Sequence, residues 1–110
     1  MITKRPYLVY GNVILSIQAS TIHYCNPRRD GLPLEEYESV EAVLFRKGAE
    51  SPFLKPSDVG LDPALDRLFS NIQTNSGDPS GGWLLWDNVH ALQAALETKF
   101  GKPQKEDLHG

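Results

Sequence analysis

Between residues 6 and 19 the chain carries two short apolar runs, PYLVY (6–10) and VILSIQA (13–19), separated only by Gly11 and Asn12. Both are rich in β-branched and aromatic residues, and Gly-Asn is a two-residue hairpin signal, so the pattern predicts an antiparallel hairpin. In the second run Val13, Leu15 and Ile17 alternate with Ile14, Ser16 and Gln18. The first set faces the core, and the other face turns polar toward the end of the strand. A third strand is predicted over 38–47, ESVEAVLFRK, with Val40, Ala42 and Leu44 on one side and Glu41, Val43 and Phe45 on the other. The intervening residues 26–36 hold Pro27, Gly31 and Pro33 and read as a loop.

Past Gly48, SPFLKPSDVG (51–60) is expected to be extended, because its two prolines oppose a regular helix and favour an edge. Asp62 then reads as a helix cap with Pro63 at the first helical position, and Leu65, Leu68, Phe69 and Ile72 form a core-facing stripe. TNSGDPSGG (74–82) reads as a long polar loop and WLLW (83–86) as a short buried strand. Asp87 is expected to cap a final helix whose stripe is Val89, Leu92, Leu96 and Phe100, ended by Gly101 and Pro103. The sum is an α+β fold: an antiparallel sheet of four to five strands with two helices packed on one face. Residues 1–101 form a single domain in this reading, and 102–110, KPQKEDLHG, a flexible charged tail.

A length of 110 residues supports one core and leaves no room for a separate substrate domain. The apolar fraction of 40% and charged fraction of 23% are those of ordinary globular proteins, which argues against disorder. No apolar run approaches the roughly 20 residues that cross a bilayer, and no leader pattern opens the chain, so a cytoplasmic protein without a membrane partner is expected. One cysteine makes neither an internal disulfide nor a cysteine-rich zinc site. The formal charge of −3 argues against broad nucleic-acid binding, which depends on neutralising many phosphates.

Candidate chemistry concentrates in TIHYCNPRRDG (21–31), directly after the second strand. His23 and Cys25 share a face of an extended backbone, with Tyr24 on the other. A cysteine nucleophile would need an oriented base, for which His90 and Asp87 are the candidates, but Asp87 is better used as a cap and buried inert cysteines are the commoner case. A metal site would need His23, His90 and a carboxylate to converge without any spacing motif, and none is assigned. Arg28 and Arg29 fit another chemistry, because guanidinium forks grip phosphate and stack on rings; Tyr24 and the two tryptophans offer stacking surfaces. The plain alternatives are arginines paired with Glu35 or Glu36 and tryptophans used in packing. Phosphate-loop and dinucleotide fingerprints are absent from the sequence, and no cofactor is expected.

The succession SIQAS-x-x-HYC-x-PR, then Y-x-x-VEA-x-x-F, then a glycine-containing loop, an aromatic strand and VHALQAAL resembles small phage and prophage proteins. Some of these are similar to the Thoeris anti-defence proteins, sponges for cyclic nucleotide immune signals. The resemblance covers residues 13–97 and is most specific at HYCNPR and YESVEA. It implies a non-enzymatic homo-oligomer in the host cytoplasm that binds a nucleotide messenger at a subunit junction. Residue chemistry then assigns the phosphorylated nucleotide ligand to Tyr24, Arg28 and Arg29. The competing expectation is an inhibitor of the anti-CRISPR kind, a protein that blocks a host defence complex through an acidic surface at Glu35, Glu36 and Glu38.

Overall fold

The computed structural model describes residues 5–69, 72–73 and 79–106. Tyr7–Tyr10 (β1) and Val13–Gln18 (β2) form the expected hairpin, with Leu8 opposite Leu15 and Tyr10 opposite Val13 across the Gly11-Asn12 turn. Gly11 lies at φ 60°, where only glycine is unstrained. β2 pairs along its whole length with Ser39–Arg46 (β3), Leu15 opposite Leu44 and Gln18 opposite Glu41. The other edge of β3 is shared: Ala49–Leu54 (β4) takes its C-terminal part and Pro79–Leu85 (β6) its N-terminal part. Ile72–Gln73 (β5) lies outside β6, and Gln104–Glu106 (β7) outside β1. Every pairing is antiparallel and the sheet is open. The fold is α+β; the five longer strands are joined by the short β5 and β7.

Strand alternation separates two apolar layers. Leu15, Ile17, Val40, Ala42, Leu44 and Leu84 pack with Val89, Leu92 and Leu96 of the α-helix Trp86–Phe100 (α1). On the opposite face Tyr7, Val9, Ile14 and Phe45 make a second cluster with Val43 and Phe53, in which the rings of Tyr7 and Phe45 meet edge to face at 5.3 Å. Burial of each large aliphatic side chain contributes about 1.5–3 kcal/mol, so the larger layer dominates stability. Among the described residues no helix is long and apolar enough to cross a membrane.

Several elements depart from the pattern read in the sequence. Pro63–Phe69 is a 3₁₀ helix rather than an α-helix, although Asp62 does cap it, its carboxylate accepting the Ala64 N–H at 2.9 Å. Seven residues do not offset the cost of nucleating an α-helix, and Leu68 and Phe69 already reach the core from the tighter coil. The 3₁₀ segment also presses on β6: a Cβ on Gly81 would stand 2.9 Å from the Leu68 carbonyl oxygen, so glycine is required there and the stretch 79–82 runs as strand, not loop. Residues 74–78 of the predicted loop lie outside the described residues.

Helix α1 begins at Trp86, two residues earlier than expected, with Leu85 rather than Asp87 at the cap position and Asp87 inside the first turn, where its charge favours the helix dipole. Gly101 ends it as predicted, its N–H donating to the Glu97 carbonyl at 2.8 Å. Within the segment expected to be a flexible tail, residues 104–106 pair with β1, while 107–110 lie outside the described residues.

The corner before the 3₁₀ helix is polar. Asp66 accepts the Ser57 N–H at 2.9 Å and the Ser57 hydroxyl at 2.6 Å. Burial acts to raise its pKa, but these two bonds and the charge of Lys55 outweigh burial and leave it below its ordinary value of 3.8. A depressed carboxylate contributes stability above its unfolded pKa, and the contribution is lost as pH falls through the folded value. Asp66→Asn should therefore be less stable than the wild type at pH 7, with the gap closing below pH 3.8. Urea denaturation of both proteins across that range measures it.

Candidate functional site

The loop after β2 is anchored at both ends. Ser20 is fully buried and turns the chain: its hydroxyl meets His23 Nδ1 at 2.6 Å and accepts the Ile22 N–H at 3.1 Å. Asp30 closes the loop by accepting the Thr21 N–H and hydroxyl at 3.0 and 3.2 Å. Asn26 bridges to Ser39 of β3, and its amide donates to Glu38 at 2.8 Å. These contacts leave the middle of the loop little freedom.

Tyr24 lies between two strands. Its N–H donates to the Glu41 carboxylate of β3 at 3.0 Å, and its carbonyl accepts the Trp83 N–H of β6 at 2.8 Å. The two rings are 5.1 Å apart, tilted by 48°. The Arg28 guanidinium stands 5.5 Å from the centroid of the Tyr24 ring, within cation–π reach. Trp83 is 47% exposed, and its φ of 52° is in the left-handed region that a tryptophan rarely occupies. The register of β6 shifts between Gly81 and Leu84, which is the irregularity that turns Trp83 outward.

The sequence-predicted residues divide. Tyr24 and Arg28 come together, with Trp83 added. Arg29 is exposed, and its carbonyl accepts the Tyr37 hydroxyl. Glu35 and Glu36 are exposed on the 3₁₀ turn Leu34–Glu36, whereas Glu38 is held by Asn26. Trp83 was expected in a buried strand and is half exposed; Trp86 does pack, its indole N–H donating to the Tyr37 carbonyl at 2.7 Å. Cys25 is buried with its thiol directed to the Ser20 and Pro27 carbonyls at 3.3 and 3.5 Å. His90 is exposed on α1 against Trp86, at 5.9 Å between rings. Among the described residues no cluster of three His, Cys, Asp or Glu could hold a metal ion.

Neither a known protein family, nor a curated protein, nor a solved structure matches this chain. Beside the aromatic pair, on the sheet face away from α1, lies a groove of about 220 Å³ lined by apolar Val43, Phe45 and Phe53 and by polar Ser16, His23 and Glu41. Glu41 belongs to both parts, since the carboxylate that lines the groove also holds the Tyr24 N–H. Sequence reasoning offered Trp83 as a stacking surface only together with Trp86 and with packing as the plain alternative, and it missed Glu41 as a site residue. The available signal for Trp83 was a tryptophan following two consecutive glycines, a stretch that packs poorly as regular strand.

Proposed function

We propose that this protein is a non-enzymatic binding protein that captures a small phosphorylated nucleotide on Trp83, Tyr24 and Arg28. The observation that carries this reading is the half-exposed Trp83, held on left-handed backbone 5.1 Å from a Tyr24 ring that Arg28 overlies. An exposed indole face takes a base at about 1–3 kcal/mol, and a guanidinium beside it takes a phosphate. Those groups bind rather than transform, and the thiol that would serve as a nucleophile faces two carbonyls in the core. The biological role that fits is sequestration of a host cyclic nucleotide immune signal in the cytoplasm by a phage-type anti-defence protein. In this reading the ligand joins copies of the chain, with the exposed Ile22 and Leu85 as candidate contacts for self-association.

The test is calorimetry with a panel of cyclic nucleotides, followed by heat release and mass spectrometry of the bound ligand. Recovery of intact ligand supports capture; a cleaved product would convert the reading to an enzyme. Arg28→Ala is expected to weaken binding about tenfold or more, the worth of a charge-assisted hydrogen bond. Arg29→Ala, which leaves the carbonyl bond of that residue to Tyr37 in place and removes no contact with the aromatic pair, is expected to change affinity by less than about threefold, near the low end of a net hydrogen-bond contribution. Absence of binding by every nucleotide would move the reading to a host defence complex engaged through Glu35, Glu36 and Glu38.

A further inference from the structure

The groove beside the aromatic pair has a chemistry of its own. Its volume of about 220 Å³ is below the roughly 300–1,000 Å³ that encloses a complete drug-sized ligand, so it suits the edge of a base rather than a whole nucleotide. Gln18 also lines it, but its amide is spent: Nε2 donates to the Arg5 carbonyl and to Ser16 Oγ, both at 3.1 Å, and Oε1 accepts the Arg5 N–H at 2.9 Å. Tyr7 and His23, which also line it, have partners of their own, so Glu41 and Ser16 are left to read a ligand. One Glu41 oxygen accepts the Tyr24 N–H, which fixes the carboxylate and leaves the second oxygen and further lone pairs for a donor. Ser16 Oγ already accepts from Gln18, so its hydroxyl proton can go to a ligand acceptor.

Resting on the nucleotide reading above, we infer that the base stacked on Trp83 turns its hydrogen-bonding edge into this groove at Glu41, and that the base so selected is guanine. Guanine alone among the common bases offers two adjacent donors, N1–H and the 2-amino group, in a fork that a carboxylate can accept bidentately. Its O6 stands next to them as the acceptor for Ser16. Adenine and cytosine place a ring lone pair beside their amino group, which the Glu41 carboxylate repels. Uracil has a single N–H between two carbonyls, one of which would face the carboxylate. Glu41 thus joins recognition to the stacking surface: the bond that orients it for the base is the bond that positions Tyr24 against Trp83.

The experiment compares guanosine, inosine and adenosine 3′,5′-cyclic monophosphates by calorimetry on the full chain. Inosine differs from guanosine only by the missing 2-amino group. The guanosine nucleotide is expected to bind about tenfold or more tighter than the other two, because a site built around a donor rejects an analogue lacking it. Glu41→Gln keeps an oxygen for the Tyr24 N–H and should bring the three within about threefold of one another, since the charge-assisted bonds are lost. Val43→Phe narrows the groove while keeping the Glu41 carboxylate and the aromatic pair, and should remove the guanine preference even if Glu41→Gln fails to fold. Equal wild-type affinity for the three would overturn the guanine assignment and leave nucleotide binding intact. Retained guanine preference in folded Glu41→Gln or in Val43→Phe would likewise overturn it. No binding of any nucleotide would remove the nucleotide reading and the guanine assignment with it.

Discussion

Trp83→Gly is expected to lose nucleotide binding by roughly 10- to 100-fold while keeping the fold, the loss reflecting about 1–3 kcal/mol of base stacking. The stability side of the expectation comes from the backbone. A non-glycine residue in a sparsely populated region costs on the order of 1–3 kcal/mol, and Trp83 lies at φ 52°. Glycine removes that strain but forfeits the contact with Tyr24, worth about 0.5–1.5 kcal/mol, and adds some unfolded-state entropy. The two sides nearly cancel, leaving a net change within about 1 kcal/mol. Trp83→Ala gives up the same ring without relieving the backbone, so it should be less stable than Trp83→Gly by about 1 kcal/mol. Urea denaturation of the two variants, set beside their nucleotide affinities, separates the roles. Equal stability of the glycine and alanine variants would mean that the left-handed backbone imposes no cost at this position.

Leu44→Ala carries the largest expected loss of stability, about 4 kcal/mol, toward the upper end of the range for leucine truncations. Leu44 is fully buried on β3, opposite Leu15 of β2 on one side and Leu54 of β4 on the other. The cost of a cavity depends on how far its walls can move inward. Here the neighbouring strands are hydrogen-bonded to β3 itself, and the layer on that face is closed by α1. The walls therefore relax little. For a domain of this size the loss corresponds to about 15 °C in melting temperature. Thermal unfolding followed by circular dichroism checks it, and a drop below about 5 °C would indicate that the site collapses around the smaller side chain.

The parts of the fold that depend on local alternation were readable in the chain. The hairpin of β1 and β2 and both faces of β3 follow from period-two patterns with glycine or proline at the ends. The same was true of the stripe Val89, Leu92 and Leu96 on α1, all three of which are buried. What escaped the pattern was set by contacts distant in sequence. Gly81 and Gly82 look like loop residues, yet the close approach of the Leu68 carbonyl makes glycine the residue that lets β6 pass there. β7 is polar because it is an edge strand, where charge is normal and a core pattern is absent. Of the candidate site, Tyr24 and Arg28 were visible because they share one short loop. Trp83 could not be told from Trp86 as the stacking surface, since its backbone conformation and its neighbour across the sheet are both invisible to periodicity. Glu41 looked like one acidic residue of several until its bond to the Tyr24 N–H distinguished it.

The contrast between the two tryptophans gives the protein a built-in pair of optical reporters. Trp83 meets solvent beside Tyr24, whereas Trp86 is half-buried with its indole N–H fixed to the Tyr37 carbonyl. A base stacking on Trp83 should quench the longer-wavelength part of the fluorescence emission, while Trp86 follows unfolding. In Trp83→Gly the remaining emission comes from one indole, which makes that variant a clean folding probe and its silence toward added nucleotide an internal control.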